Sequence, residues 1–490
     1  MQKDLTHILR EVDTAEWKGP EEVAVREVTI DSRECISGSL FVAIRGTQTD
    51  GHTFIDKAIE KGAVAVIAES LPPVLHPGVS YVRVADSRAA LGLVADSFFD
   101  SPSQQVRLVG VTGTNGKTTT ATLLFRLLQA LGYSCGLIST VENRIGETIL
   151  TATHTTPDAV SLNRLLRKMA DAGCTYVFME VSSHALDQKR VCGIRFAGGV
   201  FTNISHDHLD YHKTFQNYIF AKKKLFDGLP PEAFALVNKD DRRWEVMLQN
   251  SKARHATYAL HGMADFRGRV IENDLHGLVM DLDGQTLASR LIGTFNASNL
   301  LAAYAVASLL GLDSNEVLPA LSQLETAPGR FQQLPSGKPE VSGIIDYAHT
   351  PDALEKVLET IHQINVARRP VFTVVGCGGD RDRQKRPLMG KIACELSDQA
   401  ILTADNPRSE DPDEIIEEMM SGIPSESASK VLVITDRRQA IRTAVRLAAG
   451  GGLVLVAGKG HETTQEIRGE RFEFDDRKEL ALAFQELYDN

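Results

Sequence analysis

The sequence predicts an α/β fold in three domains. A central phosphate-loop domain on a mainly parallel sheet is flanked by an N-terminal α/β substrate domain and a C-terminal Rossmann-like α/β domain. Three observations carry that expectation. At 490 residues the chain is longer than one hydrophobic core serves. From residue 105 onward, short apolar runs alternate with helix-period segments, the signature of parallel strands joined by helices. A glycine-rich turn, Gly113-Thr114-Asn115-Gly116-Lys117-Thr118-Thr119, joins an apolar run at 106–111 to a helix-period segment at 121–131. The expected domains are 1–104, 105–327 and 328–490, because Ser101-Pro102-Ser103 and Thr326-Ala327-Pro328-Gly329-Arg330 interrupt the pattern.

Residues 1–104 carry apolar runs at 24–30, 39–44, 63–68 and 81–84, with helix-period segments at 51–61 and 87–99. Asp31-Ser32-Arg33 follows the first run, and Arg45-Gly46-Thr47-Gln48-Thr49-Asp50-Gly51-His52 is a polar loop. Such loops on a small α/β frame suit a polar ligand. Spacing alone fits ordinary surface turns equally well.

The turn at 113–119 is the strongest signal in the chain. A turn between strand and helix gathers backbone N–H groups at the positive end of the helix dipole, where phosphates bind. Lys117 is placed to reach β- and γ-phosphates, and the Thr118 hydroxyl to hold Mg²⁺. The pattern departs from G-x-x-x-x-G-K-[ST], whose first glycine would fall on Val111. Gly110 and Gly113 lie to either side, so a compact or shifted loop is expected.

Downstream come a run at 134–140, the loop His154-Thr155-Thr156-Pro157, a helix to 172, and a run at 176–181 ending in Ser182-Ser183-His184. A further run at 198–204 ends in His206-Asp207-His208-Leu209-Asp210-Tyr211-His212. Ligands in open α/β sheets sit beyond the carboxyl ends of strands, so Thr118, Glu180 and His208 can face one pocket. Glu180 ends an apolar strand, where a carboxylate is costly unless it is paired or coordinates a cation. A salt bridge to a neighbouring helix is the other reading. His206, His208 and His212 have a spacing that zinc accepts, but no fourth ligand of zinc type lies close by. A polar loop explains them as readily. Lys222-Lys223-Lys224 lies on a helix-period segment at 215–226, and composition does not separate Lys222 from a solvated lysine face.

Asn238-Lys239-Asp240-Asp241 fits the N-K-x-D pattern of guanine recognition, which raises a GTP-binding switch as an alternative. No D-x-x-G lies between Lys117 and Asn238, so the tetrapeptide reads as a turn. Alternation with Gly and Asp turns over 265–291 predicts antiparallel strands. Gly293-Thr294-Phe295-Asn296-Ala297-Ser298-Asn299 then leads into an Ala/Leu helix.

In 328–490, runs at 343–346, 371–376, 400–404, 431–435 and 453–457 alternate with helices. Their ends carry Asp346-Tyr347-Ala348-His349, Gly378-Gly379-Asp380-Arg381-Asp382-Arg383, Asp405-Asn406-Pro407-Arg408 and Gly458-Lys459-Gly460-His461-Glu462. Arg381 and Arg408 at two such ends form a candidate clamp for a carboxylate, which arginine pairs bidentately. Either one alone fits a surface arginine.

Bulk composition narrows the class. Apolar content of 43% and charged content of 24% are those of an ordinary globular protein. A net charge of −11 opposes wrapping a nucleic acid backbone, and no basic block suggests a membrane surface. The six cysteines are scattered without C-x-x-C, which predicts reduced thiols in a cytoplasmic protein. The first thirteen residues carry charge without an apolar core, so no signal peptide is expected. No run of eighteen apolar residues occurs, so no membrane insertion is expected.

Taken together, Thr112-Gly113-Thr114-Asn115-Gly116-Lys117-Thr118, Asp207-His208-Leu209-Asp210-Tyr211-His212, Asp346-Tyr347-Ala348-His349-Thr350-Pro351 and Gly458-Lys459-Gly460-His461-Glu462 resemble the Mur ligases. These are the ATP-dependent amino-acid-adding enzymes of bacterial peptidoglycan synthesis. The resemblance spans the chain and its three-domain order. Asp405-Asn406-Pro407-Arg408 is similar to the signature of the branch that adds meso-diaminopimelate, a pattern lysine-adding relatives lack. The resemblance implies that Gly113, Thr114, Asn115, Gly116, Lys117, Thr118 and Thr119 hold the ATP phosphates, with Asn296, Arg330 and Asp346 on the nucleotide. It implies Mg²⁺ ligation by Thr118, Glu180 and His208, with a second ion held through Lys222, the position that family members carbamylate. Ser32, Thr155, Thr156, Ser182, Gln188 and Arg190 match contacts to UDP-MurNAc-L-Ala-D-Glu. Arg381, Asp405, Asn406, Pro407, Arg408, Gly458 and Glu462 match the diaminopimelate pocket.

The implied reaction is phosphorylation of the D-glutamate γ-carboxylate by ATP to an acyl phosphate, then attack by the diaminopimelate amine. The catalytic set is Lys117, Lys222, His208 and His349, with His349 or Glu462 as acceptor of the amine proton. Closure of the domains around the reactants is expected, and the chain is expected to act as a monomer. The alternatives are the lysine-adding version of the same ligase and, more remotely, a folylpolyglutamate synthase, whose phosphate loop has the same form. The separate N-terminal domain argues against the latter.

Overall fold

The structure is a computed structural model that describes residues 2–46, 49–152, 154–337 and 341–488. Thr47 and Gln48 of the polar loop at 45–52 lie outside the described residues. The chain divides into two compact units, 1–267 with 301–320, and 268–300 with 321–490.

The first unit contains two larger sheets beside a short antiparallel pairing of Lys3–Asp4 with Ala24–Val25. In the N-terminal one, strands run in the order Thr14–Lys18, Ser80–Val84, Ala63–Ala68, Ser39–Val42 and Glu27–Thr29. The last four are parallel, and Thr14–Lys18 pairs antiparallel at one edge. Leu40, Val42, Ala65, Ile67 and Val82 on one face pack on Leu91, Val94 and Phe98 of helix Ser87–Phe98. Asp86 caps that helix, its side chain accepting from Ala89 N. The predicted run at 24–30 is two short strands, and the Thr14–Lys18 edge strand escaped prediction because Glu16 and Lys18 break its apolar signal.

The second sheet is the central one. Its parallel core has Arg107–Thr112 between Tyr176–Glu180 on one side and Gly198–Phe201 on the other. Cys135–Ile138 extends the first side, and Phe234–Asn238 and Arg254–Ala259 extend the second. These strands read as continuous apolar runs because helices cover both faces. Helix Lys117–Ala130 buries Leu123, Leu124, Leu127 and Leu128, while helices Ala159–Asp171 and Phe215–Asp227 close the cluster around Leu166, Met169, Leu225 and Phe226. A hairpin, Asn143–Ile145 with Thr148–Leu150, forms the antiparallel edge.

In the second unit, Phe266–Asp274, Gly277–Leu282 and Gln285–Ser289 form the predicted antiparallel meander, paired from Gly268 onward. The main sheet of this unit orders Gln332–Pro335, Ser342–Asp346, Leu453–Ala457, Val371–Val375, Gln399–Leu402 and Val431–Val433. All pairings but the first are parallel. Two apolar clusters fill its faces, one with helices Pro351–Ile364 and Lys385–Glu395, the other with Arg437–Ala448 and Asp476–Tyr488. Among the described residues, no helix is long and apolar enough to cross a membrane.

Candidate active site

The phosphate-loop candidate closes between strand Arg107–Thr112 and helix Lys117–Ala130, four residues earlier than the helix-period segment suggested. Gly110 is a strand residue whose missing side chain admits Phe196, so the loop proper begins at Gly113. A side chain on Gly113, at φ 155°, would collide with Thr202 Oγ1. The loop is fastened to the end of strand Gly198–Phe201. Asn203 O accepts from Thr114 N at 2.8 Å, Asn203 Oδ1 from Asn115 N at 3.0 Å, and Thr202 Oγ1 donates to Asn115 O at 2.6 Å. Thr118 and Thr119 are buried on the first helical turn.

Two lysines converge on this loop. Lys117 Nζ donates to Gly113 O at 2.9 Å and Thr114 O at 2.8 Å, and Lys222 Nζ donates to the same Gly113 O at 2.6 Å. Lys222 is 1% exposed and lies over the Tyr218 ring at 4.6 Å. Burial, and then the Lys117 charge, push its pKa well below that of an ordinary lysine. Its neighbours differ. Lys223 is also buried but pairs with Asp227, contrary to a solvated face, whereas Lys224 is half-exposed and pairs with Asp187. Helical position separates the three, which composition could not do.

Glu180 ends the strand beside the loop strand, in register with Val111. It is fully buried, and among the described residues it forms no salt bridge. Oε1 accepts from Thr140 N at 2.7 Å, and Oε2 is buried without a hydrogen-bond partner. Thr112 Oγ1, at the end of the adjacent strand, is orphaned in the same way. Buried unsatisfied oxygens at a phosphate loop are what a hard cation takes, so these residues fit Mg²⁺.

His208 opens the short helix Leu209–His212 with φ 53°. Its ring meets that of His184 at 4.9 Å, and burial lowers its pKa. His184 is held down to about 4 by burial and by His208 and His212. The zinc reading of the histidine spacing finds no support. His206 stacks on Phe215 at 4.4 Å, His212 Nε2 bonds Ser183 Oγ at 3.0 Å, and among the described residues no three His, Cys, Asp or Glu side chains gather as a metal site. Asn238-Lys239-Asp240-Asp241 is a turn. Asn238 Nδ2 donates to Thr202 O, and Asp241 Oδ2 accepts from Ile204 N at 2.7 Å.

The same unit holds a cavity of about 860 Å³ whose lining includes Ser32, Arg33, Arg88, Gln188 and Arg190. Arg190 Nη1 donates to Thr156 O at 2.8 Å, and its Nε and Nη2 grip Gln188 Oε1 at 3.0 and 2.8 Å. Thr155 accepts from Thr140 Oγ1 at 3.0 Å, and Thr156 Oγ1 from Ser182 N at 3.1 Å.

In the second unit, Asn296 is buried on helix Thr294–Leu309, its Nδ2 bonding Ile292 O. Arg330 lies over Tyr347 at 4.6 Å with its Nε buried and unpartnered. Asp346 accepts from Phe331 N at 2.6 Å and Ala348 N at 2.7 Å, while desolvation raises its pKa. His349 Nδ1 faces Tyr347 O at 2.9 Å. A carbonyl only accepts, so Nδ1 carries the proton and Nε2 is the acceptor. Desolvation of the imidazole lowers its pKa.

The two candidate clamp arginines flank Gly378. Arg408 Nη1 and Arg381 Cγ lie 2.9 and 3.7 Å from where a side chain on that glycine would begin. Arg408 has φ 53°, its Nη1 donates to Gly379 O at 2.7 Å, and its N bonds Glu466 O at 3.0 Å. Asp405, Asn406 and Pro407 are buried before it. Gly458, at φ 115°, would drive a side chain into Asp405 Oδ2. Asn406 Nδ2 donates to Glu462 Oε2 at 2.7 Å.

Sequence reasoning passed over the side chains that brace these loops. Arg386, fully buried, pairs with Glu410 and Glu418 at 2.8 Å each and reaches Gly378 O. Glu410 also accepts from Asp380 N at 2.5 Å, and Arg386 holds its pKa down to about 2. Asn203 and Tyr218 escaped in the same way. For Asn203 the sequence signal was an apolar strand ending in polar residues, whereas Tyr218 lies on helix Phe215–Asp227.

Comparison with known proteins matches three family descriptions along the chain. These are "Mur ligase family, catalytic domain" at 24–99, "Mur ligase middle domain" at 111–307 and "Mur ligase, glutamate ligase domain" at 329–460. A curated relative from Cytophaga hutchinsonii, named UDP-N-acetylmuramoyl-L-alanyl-D-glutamate–2,6-diaminopimelate ligase, is 54% identical over 99% of each chain. A solved structure with that same name superposes with a TM-score of 0.70, at 34% identity over 99% of each chain. The Mycobacterium tuberculosis folylpolyglutamate synthase complexed with ADP and AMPPCP shares the fold over 76% of this chain and 93% of its own, with a TM-score of 0.62 at 19% identity.

Proposed function

The chain belongs to the Mur ligase family, and from that premise we propose that it adds meso-2,6-diaminopimelate to the D-glutamate γ-carboxylate of UDP-MurNAc-L-Ala-D-Glu. It is an ATP-dependent amide-forming ligase of peptidoglycan precursor synthesis. The observation that carries this reading is the 54% identity, end to end, with a relative of that name. In this reading it works in the cytoplasm as a monomer, with domains 1–104, 105–327 and 328–490.

Joining an amine to a carboxylate runs uphill in water, so the carboxylate is first activated. Backbone N–H groups of 113–119 receive the ATP phosphates at the start of helix Lys117–Ala130. Lys117 leaves its two carbonyls to follow the transferring phosphoryl group, and its charge offsets that of the transition state. Thr118, Glu180 and His208 would hold Mg²⁺, which supplies Lewis-acid stabilisation of phosphoryl oxygens when bound. The convergence of Lys117 and Lys222 on one carbonyl oxygen sets two cations against each other. Burial, which lowers the Lys222 pKa, favours the neutral amine that a carbamate requires, and the resulting anion would help hold a second Mg²⁺. Asn296, Arg330 and Asp346 contact the nucleotide in this reading.

Ser32, Thr155, Thr156, Ser182, Gln188 and Arg190 hold the UDP-linked dipeptide, in and beside the 860 Å³ cavity. Arg381 and Arg408 take carboxylates of the incoming amino acid. His349 Nε2, neutral at pH 7, takes the amine proton as the amine attacks the acyl phosphate and inorganic phosphate leaves. Lysine lacks the second carboxylate, so an arginine that pairs with that group favours diaminopimelate over lysine.

The test is phosphate release with ATP and UDP-MurNAc-L-Ala-D-Glu, offering diaminopimelate or lysine. Release should require diaminopimelate, and Lys117→Ala should lower it by about 10²–10³-fold. Equal release with lysine would overturn the acceptor assignment. Full activity of the variant would overturn the role of the phosphate loop.

A further inference from the structure

Lys459 lies in the Gly458-Lys459-Gly460-His461-Glu462 run but has no part in the reaction described above. It is fully buried, at 0% exposure. Its ammonium has three protons to donate, and all three are spent. Nζ donates to Asn406 Oδ1 at 3.0 Å, Glu462 Oε2 at 3.1 Å and Thr464 O at 2.7 Å. Two of these acceptors belong to side chains assigned to the acceptor amino acid.

The bonds fix more than position. Asn406 Oδ1 also accepts from Glu466 N at 3.0 Å, so the amide oxygen is held by two donors and its nitrogen must point the other way. That nitrogen donates to Glu462 Oε2 at 2.7 Å. Glu462 Oε2 is thereby held by both Lys459 and Asn406. Glu466, whose N bonds Asn406, also accepts from Arg408 N at 3.0 Å, and Gln465 Nε2 donates to Asp405 O at 2.7 Å. The ammonium thus stands at the centre of a closed network that sets one amide, one carboxylate and the backbone beneath Arg408. A wholly satisfied buried network rigidifies the groups it contains, and loss of one member leaves several buried polar atoms unpaired.

We propose that Lys459 is the positioning residue of the amino-acid acceptor site, orienting Asn406 and Glu462 without touching substrate. This rests on the reading that Asn406, Arg408 and Glu462 hold diaminopimelate. Lys459→Met keeps the length and apolar stem of the side chain and removes its donors. Lys459→Arg keeps the charge.

The experiment measures kcat and separate KM values for diaminopimelate, ATP and UDP-MurNAc-L-Ala-D-Glu, with melting temperature, for the whole enzyme and four variants. These are Lys459→Met, Lys459→Arg, Asn406→Ala, and Lys459→Met combined with Asn406→Ala. Lys459→Met should raise KM for diaminopimelate about tenfold or more, the scale of a lost charged hydrogen bond. The other two KM values should stay within about twofold, since their sites lack this network. Lys459→Arg should recover part of the loss. In the double variant the two increases should fall short of multiplying, because one residue acts through the other.

An unchanged diaminopimelate KM in Lys459→Met, or equal rises in all three KM values, overturns the proposal while Asn406→Ala still reports on the site. Should Lys459→Met fail to fold, an unaltered diaminopimelate KM in a folded Lys459→Arg overturns it equally. If Asn406→Ala itself leaves that KM unchanged, the acceptor-site reading falls and the proposal with it.

Discussion

His461 shows how a single residue registers its surroundings. Its Nδ1 is buried without a partner, its ring lies 5.1 Å from that of Tyr347, and burial with the charges of Arg330 and Lys459 brings its pKa down to about 4. An unfolded histidine titrates near 6.5. Between these values the unfolded chain binds a proton that the folded chain refuses, so stability is whole above about pH 6.5 and falls as pH drops towards 4. The melting temperature should therefore decline over that window. His461→Phe, which has no proton to refuse, should flatten the decline, and an unaltered profile would show that the imidazole is hydrated. Sequence reading named this histidine in a motif, but its environment comes from Arg330 and Tyr347, more than a hundred positions earlier in the chain. Lys222 was obscured in a similar way. A lysine triplet does not reveal which member faces inward until the helix is docked.

At the scale of elements, the strand–turn–helix at 107–130 was the most legible part of the chain, because each of its parts is local. An apolar run, a glycine turn and a helix period need no distant partner to be read. What holds the turn shut was not legible, since Thr202 and Asn203 lie at the end of a different strand. Gly113→Ala should force Thr202 aside, cost about 1–3 kcal/mol of stability, and weaken ATP binding measured by calorimetry. Adding Thr202→Ala should return part of the stability, because the collision is with that hydroxyl. If the double variant is no better than the single one, backbone conformation outweighs the collision. Edge elements were read less well. The Thr14–Lys18 strand and the hairpins near 143–150 and 464–473 are short and half polar, so their pattern is set by pairing more than by burial.

Across the whole molecule, the α/β class and the succession of sheets followed from periodicity, because parallel strands buried on both faces stay apolar throughout. The proposed acceptor site was only half legible. Arg381 and Arg408 stood out as charges at strand ends. The buried Arg386 and Lys459, and the part-buried Glu410, were given no role from the sequence, since burying a charge depends on partners brought together by folding. That division bears on how the chain as a whole tolerates change. Arg408 holds a left-handed backbone, φ 53°, which glycine adopts at no steric cost and arginine adopts at about 1 kcal/mol or more. A library covering every position, sorted first by cellular abundance and then by growth, should therefore rank glycine near arginine at 408 in the first sort and reject it in the second. In the proposed function, a large cation on a stretch of chain whose geometry favours the smallest residue marks a position where ease of folding is traded for discrimination between two nearly identical amino acids.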